Sequence, residues 1–250
     1  MPDPMTLSEF HFDANYRGDS IYAEDSPLHA IYRDVVPWDI GGPQPVVVAL
    51  EAEGAFRGEV LDVGCGLGDN TLFLAGRGHR VTALDVSPKA IERAGERARS
   101  LGLEITFVVT DAVTLRSLEG RAYDTVIDSA LYHGLDPEQR RKYAAALHGV
   151  TAPGARLHIA CFSDEVPREI LAPNRCSEQD IRRTLTDAGW SITRFDRATY
   201  TASPDFTRDL LHRIVEAMNV ADGASFVEGL PADDQGRLLL PIWQVSAERV

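Results

Sequence analysis

The run Val60-Leu61-Asp62-Val63-Gly64-Cys65-Gly66-Leu67-Gly68-Asp69 limits the possible folds more than any other part of the chain. It reads as a buried strand that closes near an acid and turns sharply through three glycines. Asn70-Thr71-Leu72-Phe73-Leu74-Ala75 then reads as a helix. A strand feeding such a turn and a helix lets backbone approach a ligand closely, because glycine alone enters left-handed conformations at little steric cost. The same alternation continues along the chain. Strands are expected at 59–63, 80–85, 105–109, 123–128 and 156–161, with helical stretches between them. Ser87-Pro88 and Asp136-Pro137 each set an N-cap before a proline at the first helical position. Ala90, Ile91, Ala94 and Ala98 share one face of the helix that follows the first of these. Apolar strands alternating with helices call for a mostly parallel sheet covered on both faces, a Rossmann-like α/β fold.

The remainder is less regular. Ser177 and Asp180 suit a capping box before Ile181, Leu185 and Ala188. Residues 191–201 read as a strand, and Phe206, Leu210, Leu211, Ile214, Val215 and Met218 mark an amphipathic helix. A Gly- and Asp-rich stretch at 222–236 reads as a loop before a last strand near 238–245. The expected organisation is a cap segment over 1–57, helical in part, and a main domain over 58–250 with a lid insertion at about 202–236. The amphipathic helix suits a substrate lid, a partner-binding element or an ordinary helix on the sheet edge.

The turn also narrows the ligand. Its spacing is G-x-G-x-G, not the G-x-G-x-x-G that cradles a dinucleotide pyrophosphate. Asp62 would repel a phosphate but suits a cation, which favours S-adenosylmethionine over a nicotinamide cofactor. A formal net charge of -13 disfavours duplex nucleic acid and anionic membrane surfaces. Cys65, Cys161 and Cys176 form no C-x-x-C pair, and the histidines have no metal-ligand spacing, so no metal is expected. The acidic, proline-rich start Met1-Pro2-Asp3-Pro4 is unlike a secretory signal, and no apolar run approaches a membrane span. A cytoplasmic protein with a small-molecule partner is expected.

Asp62, Asp85, Asp111 and Asp128 all fall at ends of successive expected strands. Ligands of parallel α/β sheets sit outside the carboxyl ends of the strands. Asp85 follows the glycine turn at the distance where an acid accepts ribose hydroxyls. Asp111 suits the adenine amino group, while Asp62 and Asp128 suit the ammonium and sulfonium end. Each acid taken alone suits equally well as a helix N-cap.

With these motifs the chain resembles the class I S-adenosylmethionine-dependent methyltransferases over about residues 58–162. Leu61 to Gly68, Ala83 to Ser87, Thr110 to Ala112 and Asp124 to Ser129 correspond to that family's four motifs. The resemblance implies a seven-stranded, mostly parallel sheet whose last strand is antiparallel. It implies that the Gly64-Cys65-Gly66 turn packs on the methionine part, that Asp85 holds the ribose and that Val86 lies against adenine. Asp62, Asn70, Asp111, Ala112, Asp128 and Ser129 complete the implied cofactor set. A second resemblance lies in Tyr16-Arg17-Gly18 and in Val36 to Pro45. It is to the thiopurine and halide methyltransferase group and to actinobacterial relatives acting on small heteroaromatic compounds or phenols. There Trp38, with Tyr16, would close over the methionine part, where an indole face also attracts a sulfonium. A core-anchor role for Trp38 is the alternative.

Catalytic candidates are Tyr132 and His133, just after the fourth strand. His133 could take a proton from the acceptor, and Tyr132 could orient it; His133 could equally pack or cap a turn. Phe12, Tyr16, Tyr22, Tyr32, Phe206 and Phe226 suit a flat apolar acceptor or an ordinary core. The resulting expectation is methyl transfer to O, N or S of a small aromatic or heterocyclic acceptor, of secondary-metabolite or detoxification type, leaving S-adenosylhomocysteine. A non-methylating cyclase or rearrangement enzyme on the same cofactor-binding fold is the alternative.

Overall fold

The computed structural model describes residues 11–167 and 175–250. Residues 1–10, which begin the expected cap and include the Met1 to Pro4 start, lie outside the described residues.

The elements in chain order are α1 (Phe12–Asn15), α2 (Pro45–Ala52), β1 (Glu59–Val63), α3 (Asp69–Gly76), β2 (Arg80–Asp85), α4 (Pro88–Ser100), β3 (Thr106–Val109) and β4 (Tyr123–Ser129). They continue with α5 (Pro137–Gly149), β5 (Thr151–Phe162), α6 (Glu178–Asp187), β6 (Trp190–Thr201), α7 (Arg208–Ala217), α8 (Gly223–Gly229) and β7 (Leu239–Arg249). The strands form one seven-stranded sheet in the order β3-β2-β1-β4-β5-β7-β6. Neighbours from β3 through to β5 are parallel. β7 runs antiparallel between β5 and β6. The chain therefore builds outward from β1 through β2 to β3, then returns to the other side of β1 with β4. That reversal is a topological switch point, where α/β sheets open a crevice for ligands.

Local chemistry explains the helix starts. Ser87 Oγ accepts from Ala90 N–H at the head of α4, and Asp136 and Gln139 form a full capping box on α5. Ser177 caps α6 through the Asp180 N–H. Helices cover both faces, giving two cores. One holds Val60, Val81 and Ile127 with the N-terminal segment, α2, α7 and α8. The other holds Leu61, Val126 and Leu157 with α5, α6, Tyr143 and Trp190.

Three expectations change. β5 begins at Thr151, not 156, because residues 152–155 loop out of register against Asp124 and the strand resumes. Pro153 and Gly154 sit in that irregularity, where proline is tolerated. The stretch at 222–236 contains the helix α8, whose closing carbonyls, at Val227 and Leu230, accept from the Arg208 guanidinium. Finally, Tyr22, Tyr32 and Phe206 are core residues. Their rings pack in series, tilted by 52° and 41° with centroids 4.9 and 6.2 Å apart, and join the N-terminal segment to the approach to α7. The Gln44 amide reinforces that junction by bonding both the N–H and the C=O of Thr201 at the end of β6. No helix among the described residues is long and apolar enough to cross a membrane.

Candidate active site

A cavity of about 610 Å³ opens over the carboxyl ends of the strands, at the switch point. Its wall divides as the sheet does. Gly64, Leu84, Asp85, Val86 and residues 111–114 line the part above β1, β2 and β3. Ser129, Ala130, His133, Phe162, Tyr200 and Leu240 line the part above β4, β5, β7 and β6. Phe12, Tyr16, Ile21, Pro37 and Trp38 close it from the N-terminal segment.

The glycine turn is a true close approach. Gly64, Gly66 and Gly68 have φ of +72°, +53° and +84°, the region that favours glycine. A Cβ on Gly64 would stand 3.1 Å from Leu131, and one on Gly66 only 2.8 Å from the Tyr16 hydroxyl. Trp38 Nε1 donates to that hydroxyl at 3.1 Å, so Tyr16 and Trp38 rest together over the turn. Asp85 faces the cavity beside it. One carboxylate oxygen accepts from Gly66 N–H at 2.9 Å and the other from Ser87 N–H at 2.8 Å. Burial pushes its pKa up from the ordinary carboxylate value, and those hydrogen bonds oppose the shift. Val86 is 60% exposed, an apolar shelf on an otherwise open wall. Asp111 accepts from Val113 N–H, and with Ala112 continues that wall. A cradle with no room for side chains, a carboxylate with spare lone pairs and an apolar shelf together fit an adenosyl group with a methionine tail.

Other expected residues stand elsewhere. Asp62 is 1% exposed and lies off the cavity wall. One of its oxygens accepts from the Thr71 hydroxyl, tying β1 to α3, and the other has no partner. Asp128 is fully buried and also off the wall. It accepts from Leu131 N–H, Tyr132 N–H and the Tyr143 hydroxyl, and so shapes the turn after β4. Asp62 is held by one donor from α3, and Asp128 by three donors from the turn after β4 and from α5. Asn70 accepts from Gln44 N–H and joins α3 to the segment before α2, off the wall. Cys65 is half-buried and turned toward Gly66 O.

Tyr132 and His133 are adjacent yet point to opposite sides. Tyr132 is fully buried between the Tyr143 ring and the Arg140 guanidinium, in the core below, so it cannot orient a bound acceptor. His133 lines the cavity, its ring 4.3 Å from that of Phe162 and its Nδ1 accepting from Phe162 N–H at 3.3 Å. Burial, helped by the Arg140 charge, pushes its imidazole down to about 3. That direction runs against a base poised near neutral pH.

Two contributors were not legible in the sequence. Asp13 of α1 accepts from the Ser87 hydroxyl at 2.7 Å and Lys89 N–H at 2.9 Å, latching the N-terminal segment to the head of α4. An acid 74 positions before its partner leaves no local signal. Tyr200 places its hydroxyl 3.4 Å from Ser129 Oγ on the cavity wall; the alternation of β6 hinted only at its burial.

Burial pushes the Asp62 carboxyl up from 3.8 to about 7, with Asp128 and Asp85 adding to the effect and the Thr71 bond opposing it. The folded chain therefore holds this proton more tightly than the unfolded chain. The linked contribution to stability is present at low pH and is lost as pH rises from about 4 to about 7. Asp62→Asn is expected to flatten this slope in the unliganded protein, gaining on wild type most above that window. Urea midpoints measured across pH check it, and parallel pH profiles for the two proteins would contradict it.

Residues 60–154 match a family model described as a methyltransferase domain. The chain is 34% identical over 200 residues to a 2-heptyl-1-hydroxyquinolin-4(1H)-one methyltransferase of Mycobacteroides abscessus, covering 79% of this chain and 84% of that protein. It is 29% identical over 129 residues to a probable thiol methyltransferase of Arabidopsis thaliana, covering 50% of this chain and 56% of that one. Among solved structures, one concerning conversion of a disulfide bond into a thioacetal group during echinomycin biosynthesis superposes with a TM-score of 0.71. It is 33% identical and covers 95% of this chain and 90% of that chain.

Proposed function

The chain belongs to the class I S-adenosylmethionine-dependent methyltransferases, and from that premise we propose that it methylates an O, N or S atom of a small aromatic or heterocyclic acceptor. The observation that carries this reading is the divided cavity. The part above β1, β2 and β3 suits the cofactor, which when bound supplies a methyl group on a positively charged sulfur. Asp85 would hold the ribose hydroxyls, Val86 the adenine face, and Asp111 with Ala112 the adenine edge. The Gly64 to Gly66 turn, under Tyr16 and Trp38, would take the methionine part.

The part above β4 and β5 is left for the acceptor. Ile21, Ala130, Phe162 and Leu240 give it apolar walls, with hydroxyls, among the described residues, at Ser129 and Tyr200 and an imidazole at His133. A flat ring fits such walls, and the relatives named for a hydroxyquinolone and a thiol support an aromatic or sulfur acceptor. The residues contribute mainly by position. They hold the nucleophile in line with the methyl group and, through the Tyr16–Trp38 cover, keep water away.

Calorimetry and a transfer assay test the reading together. The protein should bind S-adenosylmethionine and S-adenosylhomocysteine and move a labelled methyl group to members of a library of phenols, thiols and heterocycles. Binding without transfer to any member would refute the acceptor class. Absence of binding would refute the cofactor site.

A further inference from the structure

The geometry points to acceptors that arrive already ionised, with His133 as a neutral hydrogen-bond donor to the ionised atom. This rests on the proposed function and concerns what that function leaves open, the fate of the acceptor's proton.

The His133 ring is fixed by its neighbours. Phe162 N–H donates to Nδ1, so that nitrogen carries a lone pair and the neutral ring must hold its hydrogen on Nε2. The ring lies on the cavity wall, and Nε2 has no partner among the described residues. Protonating Nδ1 would set two N–H groups against each other. The buried Arg140 guanidinium of α5 adds a repelling charge nearby. The lone pair that a base would need is already engaged with the backbone of β5.

Among the described residues, no other group on this side replaces it. Tyr16 and Tyr200 are held as phenols, their pKa pushed up by burial. Asp62 and Asp128 are off the wall, Asp85 stands on the opposite part with both oxygens accepting backbone N–H, and Asp111 lies on that part too; α5 adds to the wall only Gln139, an amide, and Lys142, an ammonium paired with Glu138. One of the Ser129 and Tyr200 hydroxyls donates to the other, so the acceptor part offers two donors toward a ligand, His133 Nε2–H and the remaining hydroxyl, and among the described residues it holds no carboxylate and no free basic nitrogen. Donors grouped without a base suit an anion. For an oxyanion or thiolate the balance closes. A lone pair of the acceptor forms the new bond to the methyl carbon, the carbon–sulfur pair leaves with sulfur, and the two opposite charges cancel. No proton moves. A neutral hydroxyl would leave a proton with no group to receive it. The matching class is phenols, N-hydroxy heterocycles and aryl thiols acidic enough to ionise near neutral pH.

The test uses initial rates of S-adenosylhomocysteine formation against pH. The acceptors are 4-nitrophenol, 4-cyanophenol, phenol and 2-heptyl-1-hydroxyquinolin-4(1H)-one. The midpoint of the rising limb of kcat/KM should move with each acceptor's own acidity. His133→Gln keeps an N–H and lacks a basic nitrogen; it should retain that limb and lose less than about tenfold, while His133→Leu loses roughly 10–100-fold. A limb fixed at one pH for every acceptor, or abolished in His133→Gln, would overturn the proposal. So would turnover of none of them by protein that binds S-adenosylmethionine in calorimetry, whereas failure of that binding would strike the cofactor reading instead. Independently, nitrogen-15 spectra of labelled histidine should show His133 neutral and protonated on Nε2 from about pH 5 to about pH 8. Titration within that range, or a hydrogen on Nδ1, overturns it whatever the acceptor.

Discussion

Asp85→Ala is expected to weaken S-adenosylmethionine binding by about 100-fold or more while leaving the protein folded. Among the described residues, Asp85 is the one carboxylate that combines a place on the wall beside the glycine turn with oxygens already oriented by two backbone N–H groups. A hydrogen bond to a charged group contributes about 1.5–3 kcal/mol, and each 1.4 kcal/mol is tenfold in affinity. Loss of two ribose bonds therefore gives at least two orders of magnitude. The same change releases the Gly66 N–H that helps fix the turn, so the effect should not be smaller in the intact cradle. Asp85→Asn keeps an acceptor oxygen and should fall between. Calorimetric titration, with circular dichroism to confirm folding, reads the outcome. Wild-type affinity in Asp85→Ala would remove the ribose assignment.

Asp128→Ala is expected to cost stability first and activity as a consequence. Its carboxylate gathers three donors in a dry interior: Leu131 N–H, Tyr132 N–H and the Tyr143 hydroxyl. Leaving buried donors unpaired costs about 1–3 kcal/mol each, so a loss of about 4 kcal/mol is expected after relaxation. The pH dependence has a definite sign. Burial raises the Asp128 carboxyl to about 6, so the folded wild type binds its proton more tightly than the unfolded chain. Wild-type stability from this group falls as pH rises from about 4 to about 6, and the deficit of the variant shrinks over the same interval. Urea denaturation across pH measures both. Because Leu131 packs beside Gly64, the damaged turn should also disturb the cofactor cradle. A variant as stable as wild type would show that the turn after β4 does not depend on this carboxylate.

The legible part of this molecule was its local chemistry. The glycine turn, Asp85 and Val86 follow one another within a strand–turn–helix unit, so their spacing alone carries their geometry. The apolar strands likewise announced the parallel sheet, and the N-caps marked the heads of α4 and α5. What failed was direction. Asp62, Asp85, Asp111 and Asp128 look alike in sequence, yet two line the cavity and two are buried off its wall. A carboxylate near a strand end is equally able to meet a ligand or to gather backbone N–H groups, and only the packed turn decides. Tyr132 and His133 show the same limit, since a single step along a tight turn sends adjacent rings into the lower core and the cavity. The Asp13 latch and the Tyr200 hydroxyl depend on chain segments that meet only after folding.

A crystal structure with S-adenosylhomocysteine tests the central claim, a cavity split by the switch point between β1 and β4. The account places the ribose hydroxyls on the Asp85 carboxylate, the adenine on Val86, and the sulfur beneath Tyr16 and Trp38, facing the Ser129 and His133 side. A nucleoside seated instead above β4 and β5, with Asp85 untouched, would contradict it.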